Sequence, residues 1–252
     1  MRKGTPQITS LVRTLNMLEA VIADGGRSSV SDIARQIDMP VATAHRQVLT
    51  LVETGFLAPS GRGRHVAGGR LLTMAHRLDE KQAIVNIAAS FIHRLAVQVR
   101  CTVQLGTYEN EMVTYRIKAG RGSKSLFTRV GMQLEAYCSG IGKVLLAHLH
   151  DEEREAYLAA GPFVPLTQNT ITDPAALRDE LALVRTRGYA FDDGEVALDI
   201  RCLAVPIRRR DGTAPAAISA SQIATDRHRL PDEQLLPLML ETARQIEQRA
   251  FG

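Results

Sequence analysis

Leu11, Leu15, Leu18 and Ile22 recur at three- and four-residue steps, the spacing of one face of an amphipathic helix. Asp24-Gly25-Gly26 ends that run. Val30, Ile33, Ala34 and Ile37 repeat the spacing, with Ser31 placed to cap the helix start. Pro40 suits the first turn of a further helix, where its missing N–H costs nothing. Ala44, Val48, Leu51 and Val52 supply the buried stripe of that helix, and Gly55 its C-terminal cap. The period then changes. Phe56-Leu57-Ala58 and Arg64-His65-Val66 read as short strands around the turn residues Ser60-Gly61-Arg62-Gly63. Three helices followed by a basic hairpin make a winged helix-turn-helix. Gly68-Gly69 interrupts, and a helical run from Arg70 to about Asp79 leads onward.

The rest of the chain mixes both periods. Ile84, Ile87, Ala88, Phe91, Ile92, Leu95 and Val99 trace a long amphipathic helix. Val103 to Tyr108 and Met112 to Lys118 read as paired strands around Glu109-Asn110-Glu111. Helices are expected from Ile141 to His148, from Asp151 to Ala160, and from Asp173-Pro174 to the stop at Gly188. Ile200 to Arg208 and Ala214 to Ile223 read as strands around the hairpin signal Asp211-Gly212. Leu230-Pro231-Asp232 opens a last helix, with Pro237 as a candidate kink. Helices and strands do not alternate strictly, which is an α+β arrangement. The expected boundaries are a helix-turn-helix domain over 1–69, a connecting helix over 70–80 and a second domain over 81–252.

Charge sharpens this division. Residues 1–70 hold 9 Lys and Arg against 5 Asp and Glu, a net of +4, which is the net charge of the whole chain. The remaining residues hold 22 of each sign. The positive excess therefore coincides with the helix-turn-helix, and neutralisation of phosphates is the main sequence-independent term in DNA affinity. Three well-separated cysteines, Cys101, Cys138 and Cys202, suit reduced thiols better than a disulfide framework. No apolar run approaches a membrane span, and residues 1–8 read as a loose arm rather than a signal peptide. A cytoplasmic protein is expected.

A DNA-reading helix needs short side chains at its exposed start, because bulky ones hold the backbone away from the bases. Ala42, Thr43, His45 and Arg46 fall away from the Ala44/Val48/Leu51 stripe. Ala42 suits contact with a thymine methyl, Thr43 a base or phosphate, and Arg46 a guanine edge or phosphate. Arg62 and Arg64 on the hairpin suit the backbone of the duplex. A packing-only three-helix unit is the bland alternative, and the basic hairpin argues against it.

Residues 10–80 resemble the DNA-binding domain of the IclR family of bacterial regulators. Ser31-Asp32-Ile33-Ala34, Met39-Pro40, Thr43, His45-Arg46, Leu51, Gly55-Phe56 and Arg70-Leu71-Leu72 carry the likeness. It continues in Gly131, in Cys138-Ser139-Gly140-Ile141-Gly142-Lys143-Val144-Leu145-Leu146-Ala147, in Gly188-Tyr189-Ala190-Phe191-Asp192-Asp193-Gly194-Glu195, in Ile200-Arg201-Cys202-Leu203-Ala204-Val205-Pro206, in Ala216-Ala217-Ile218-Ser219-Ala220-Ser221 and in Arg229-Leu230. The resemblance implies a GAF-like α/β effector-binding domain, a homodimer or homotetramer, double-stranded operator DNA as partner, and no cofactor. It also implies an effector pocket lined by Gly140, Ile141, Asp192, Cys202, Ser219 and Ser221. The residues themselves are compatible with a small organic or aromatic acid. Ser219 and Ser221 share one strand face, as do Cys202 and Ala204, and the glycines before an apolar helix offer backbone N–H groups to a carboxylate. The plain alternative is that the serines are small core residues and the glycines turn-formers. Glu135, Ile141 and Val144 depart from the family's usual proline and alanines, and His65-Val66-Ala67-Gly68 departs from its usual wing.

Catalytic and metal-binding patterns are missing. Gly140-Ile141-Gly142-Lys143 would need Gly at Tyr137 and Ser or Thr at Val144 to be a phosphate loop. Ser139 lacks the glycine of a nucleophile elbow, again because position 137 is tyrosine. His93, His148, His150 and His228 show no zinc-ligand spacing with cysteine. Arg208-Arg209-Arg210 reads as a solvated hairpin tip. The expected function is a ligand-responsive transcription factor. The rival is a metabolite-binding module or enzyme whose helix-turn-helix serves only assembly.

Overall fold

The computed structural model describes residues 6–120, 126–226 and 229–252. Most of the expected loose arm and His228 lie outside these residues. The chain divides into two compact units, one ending at Asp79 and one starting at Glu80. Among the described residues no helix is long and apolar enough to cross a membrane.

The first unit runs α1 (Thr9–Asp24), α2 (Val30–Gln36), α3 (Val41–Glu53), β1 (Leu57–Gly61), β2 (Arg64–Ala67) and α4 (Gly69–His76). Its core joins Met17, Leu18 and Val21 of α1 to Val30, Ile33 and Ala34 of α2 and Ala44, Val48 and Leu51 of α3. The expected α1 face is therefore corrected. Leu18 is buried, but Leu11, Leu15 and Ile22 are 55, 48 and 41% exposed. Helix α1 carries two apolar stripes, and the one holding Met17 and Val21 meets the core. The α2 cap is also corrected. Ser29, not Ser31, stands at the N-cap in a capping box with Asp32, whose backbone N–H donates to Ser29 Oγ at 3.3 Å. Ser31 lies within the first turn, two residues past the cap, 3.2 Å from His45 Nε2. Pro40 is the N-cap of α3, and Gly55, at φ 77°, follows that helix as expected.

The second unit runs α5 (Glu80–Val99), β3 (Thr102–Glu109), β4 (Met112–Ala119), β5 (Gln133–Glu135), α6 (Gly140–Ala147), α7 (Asp151–Ala159), α8 (Pro174–Arg187), β6 (Ala190–Asp193), β7 (Ile200–Ile207), β8 (Ala216–Ile223) and α9 (Asp232–Phe251). Its sheet has the order β5-β4-β3-β8-β7-β6 with every pair antiparallel. Strand alternation sends Val103, Leu105, Leu203, Val205, Ile218 and Ala220 against α5 and α9. The other face packs Ala204 and Ala217 against α6, with α8 behind it. The sheet thus lies between two helical layers. Helix α9 runs unbroken through Pro237. The hairpin tip is not merely solvated, because Arg209 Nη2 pairs with Glu80 Oε2 at 2.6 Å.

Helix α6 is buried along its whole length. Gly142 makes this possible: a Cβ there would lie 2.0 Å from the carbonyl oxygen of Ala136. Ser139 caps the helix by accepting from the Gly142 N–H at 3.0 Å.

Ser29→Ala should destabilise the helix-turn-helix by about 1 kcal/mol. Denaturant unfolding of the full chain, followed by far-UV circular dichroism, checks this. Ser31→Ala should change stability by less than half as much.

Candidate functional site

In the first unit, α3 presents the residues read as DNA-facing. Ala42, His45 and Arg46 are exposed, and Thr43 is half-buried beside the core residue Ala44. His45 is steadied by the Ser31 hydroxyl on α2. Arg62 and Arg64 are both exposed at the hairpin turn, where Gly61, Arg62 and Gly63 all take positive φ. The hairpin is tied back to the helices, since the Val30 N–H donates to the Gly63 carbonyl at 3.2 Å. At its base, the Arg70 guanidinium lies 5.0 Å over the Phe56 ring and donates to the Thr54 carbonyl at 3.1 Å. His65 is partly buried with Nδ1 unpartnered; burial lowers its pKa, and neighbouring His45 adds to that. The α3 start and the hairpin arginines therefore form exposed, cationic ground on a fixed backbone.

In the second unit, Gly140, Ile141, Asp192, Cys202, Ser219 and Ser221 all line one pocket between α6 and the sheet. Register explains the convergence. Cys202 stands opposite Ser221, Ala204 opposite Ser219, and Asp192 opposite Cys202 across neighbouring strands. Its unfilled space is about 400 Å³ including the open mouth.

Further lining residues had not been expected. Gln104 of β3 donates to Thr128 Oγ1 at 2.8 Å and accepts from Ser221 Oγ at 3.4 Å; Ser221 Oγ also lies 3.1 Å from Cys202 Sγ. The polar alternation of Thr102 and Gln104 with Val103 and Leu105 was a signal available in the sequence. Tyr115 arrives by a less visible route. The β3–β4 pairing steps from Leu105↔Ile117 to Gly106↔Tyr115, so Arg116 is a bulge. Ile117 faces α5 and α9, whereas Tyr115, two residues earlier, faces α6 and the pocket.

Charge lies just behind the wall. Asp192 Oδ1 accepts the Glu195 N–H at 2.8 Å, and burial pushes its carboxyl up to about 6. Lys143 of α6 is bonded to Glu195 and lies 3.8 Å from Glu180. Burial raises the Glu195 carboxyl while Lys143 pulls against it, and Glu195 Oε2 has no partner. No group of His, Cys, Asp and Glu suited to a metal ion occurs among the described residues.

Residues 10–61 match the IclR helix-turn-helix domain, and residues 76–248 match the family described as bacterial transcriptional regulator IclR C-terminal. The chain belongs to the IclR family of bacterial transcriptional regulators. It is 29% identical over 232 residues to the transcriptional repressor IclR of Escherichia coli, covering 89% of this chain and 85% of that one. The crystal structure of the Agobacterium tumefaciens repressor BlcR superposes with a TM-score of 0.71 at 27% identity, covering 96% of this chain and 97% of the other. An IclR homologue from Microbacterium hydrocarbonoxydans, crystallised with 4-hydroxybenzoate, gives 0.62 at 31% identity, covering 96 and 98%. The likeness to this family read from the sequence is thus borne out, and so are the helix-turn-helix and the α+β second domain. The chain is a transcriptional regulator and not an enzyme.

In this IclR-family chain, Lys143→Met should strand the Glu195 carboxylate in the interior, at a cost of about 3–5 kcal/mol near pH 8. Burial raises the folded-state pKa of Glu195, so the ionised form opposes folding. The penalty is absent below the unfolded-state pKa and grows as pH rises. Thermal midpoints of both proteins at pH 5 and pH 8 check this. The gap should be wider at pH 8.

Proposed function

We propose that this regulator reads operator DNA through the start of α3 and the β1–β2 hairpin, and that a small carboxylic acid in the second unit controls the binding. In this reading Ala42, Thr43, His45 and Arg46 enter the major groove, while Arg62 and Arg64 meet phosphates. The observation that carries it is the exposure of Ala42, His45 and Arg46 on one helix edge beside two exposed hairpin arginines. Homodimers or homotetramers would set two such helices about one helical turn, or a multiple, apart. The exposed apolar positions Leu11, Leu15 and Ile22 on α1 support burial against a further copy. The protein is assigned to the cytoplasm, where its DNA is.

Gly140, Ile141, Asp192, Cys202, Ser219 and Ser221 are assigned to the effector. The Microbacterium homologue's complex with 4-hydroxybenzoate supports an acid of this class. To act, the ligand must bind one arrangement of the two reading helices more tightly than another. Ile141 packs over Gly106 of β3, where a Cβ would come within 3.0 Å of Ile141 Cγ2, so this side chain limits the room beneath α6.

Combined Thr43→Ala and Arg46→Ala should weaken binding to the DNA upstream of the protein's own gene by about 10- to 100-fold. Fluorescence anisotropy checks this, and undiminished affinity would refute the groove assignment. Ser221→Leu should abolish the ligand response in a reporter assay while operator binding persists. A normal response would remove the pocket assignment.

A further inference from the structure

Among the described residues, the pocket that the preceding reading assigns to an acid has no cation in its wall. Its lining contains neither lysine nor arginine. The ammonium of Lys143 is already engaged by Glu195 and Glu180, and that of Lys118 by the carbonyls of Leu126 and Thr128. Asp192 contributes a carboxylate. Among the described lining residues, a bound anion meets neutral hydrogen-bond donors alone. The N–H groups of Gly140 and Ile141 open α6 and take no acceptor among the described residues. Helix starts of this kind are common, and they select nothing by themselves.

Tyr115 is the second, independent feature. It is 5% exposed and lines the pocket, and its hydroxyl has no hydrogen-bond partner among the described residues, while its oxygen is not one of the fully enclosed partnerless atoms and so opens toward the pocket space. A buried phenol ordinarily finds a partner. The Arg116 bulge turns this side chain away from the α5/α9 core, where its neighbour Ile117 points. Burial pushes the phenol's pKa upward, so it stays protonated and able to donate at physiological pH. Gly106, its partner on β3, has no side chain, which leaves room for Val113 and Ile141 beside it.

We propose that Tyr115 is a specificity-determining residue of the effector pocket. Its hydroxyl donates to a carboxylate oxygen of the effector, opposite the free N–H groups of Gly140 and Ile141. The site is then an anion site made of neutral donors, and it favours a carboxylate over the matching amide. A hydrogen bond to a charged acceptor is the stronger kind, and its loss amounts to about 10- to 100-fold in affinity. This inference rests on the acid reading of the pocket, and the test separates the two.

The experiment is calorimetric titration of the full-length protein with three matched pairs: benzoate and benzamide, 4-hydroxybenzoate and 4-hydroxybenzamide, glycolate and glycolamide. At least one acid should bind the unaltered protein about 10-fold or more tighter than its amide. Tyr115→Phe should weaken that acid by about 10- to 100-fold and its amide by less than about threefold, so the preference collapses. The substitution removes one oxygen that has no protein partner, so the thermal midpoint and the ligand-free operator affinity should not fall. Acid binding with an unchanged acid-to-amide ratio in Tyr115→Phe would overturn the role of Tyr115 and leave the acid reading standing. If none of the three acids binds, or the amides bind better, the acid reading fails and this inference with it.

Discussion

Helix α6 lies wholly inside the second unit, and every polar group on it has to be answered from its surroundings. That constraint organises the domain. Gly142 lets the helix backbone approach the Ala136 carbonyl more closely than any side chain would permit. Ser139 satisfies the Gly142 N–H at the helix start. Lys143 is buried on the helix itself and draws Glu195 and Glu180 toward it from the loop after β6 and from α8. The β6 loop is held further by Thr170, whose hydroxyl donates to the Glu195 carbonyl at 2.7 Å. One sunken helix thereby fixes the loop that carries Glu195, and with it the neighbouring end of β6 that places Asp192 in the pocket wall.

The first unit solves a different problem. It has few residues with which to build a core, and it must leave one helix edge uncovered. The capping box at Ser29, the link from Val30 to the Gly63 carbonyl, and the stack of Arg70 on Phe56 tie its short elements together. None of these ties uses Ala42 or Arg46. Stability is supplied on one side of α3 and contact surface on the other, so the two can vary separately.

Much of this was readable in the residues. Helical spacing located the first three helices, and the turn residues located both β1–β2 and the β7–β8 hairpin, because each pattern repeats long enough to exclude the other period. Short β5 and β6 gave no such repeat and were missed as strands. In α1 the periodic leucines misled, since a helix with apolar residues on two sides does not say which side meets its own core. Ser31 was mistaken for a cap because Ser29, Ser31 and Asp32 are interchangeable in local chemistry; the reach of His45 from α3 distinguishes them. In the pocket, the strand parity of Ser219, Ser221 and Cys202 was legible from alternation. Thr128 gave no signal because its segment has no period.

Tyr115 escaped for a deeper reason. Strand parity counts residues by twos, and a single unpaired residue at Arg116 resets the count. Simple alternation would have assigned Tyr115 and Ile117 to the same side. The pairing register of β4, as much as the identity of any side chain on it, therefore decides which chemistry looks into the pocket. Taking the extra residue into the ladder, so that Arg116 rather than Tyr115 stood opposite Gly106, would carry the phenol to the opposite face and bring the basic neighbour round in its place. A shift of register within one strand thus offers such a scaffold an evolutionary route to a differently lined pocket that leaves its other unit untouched.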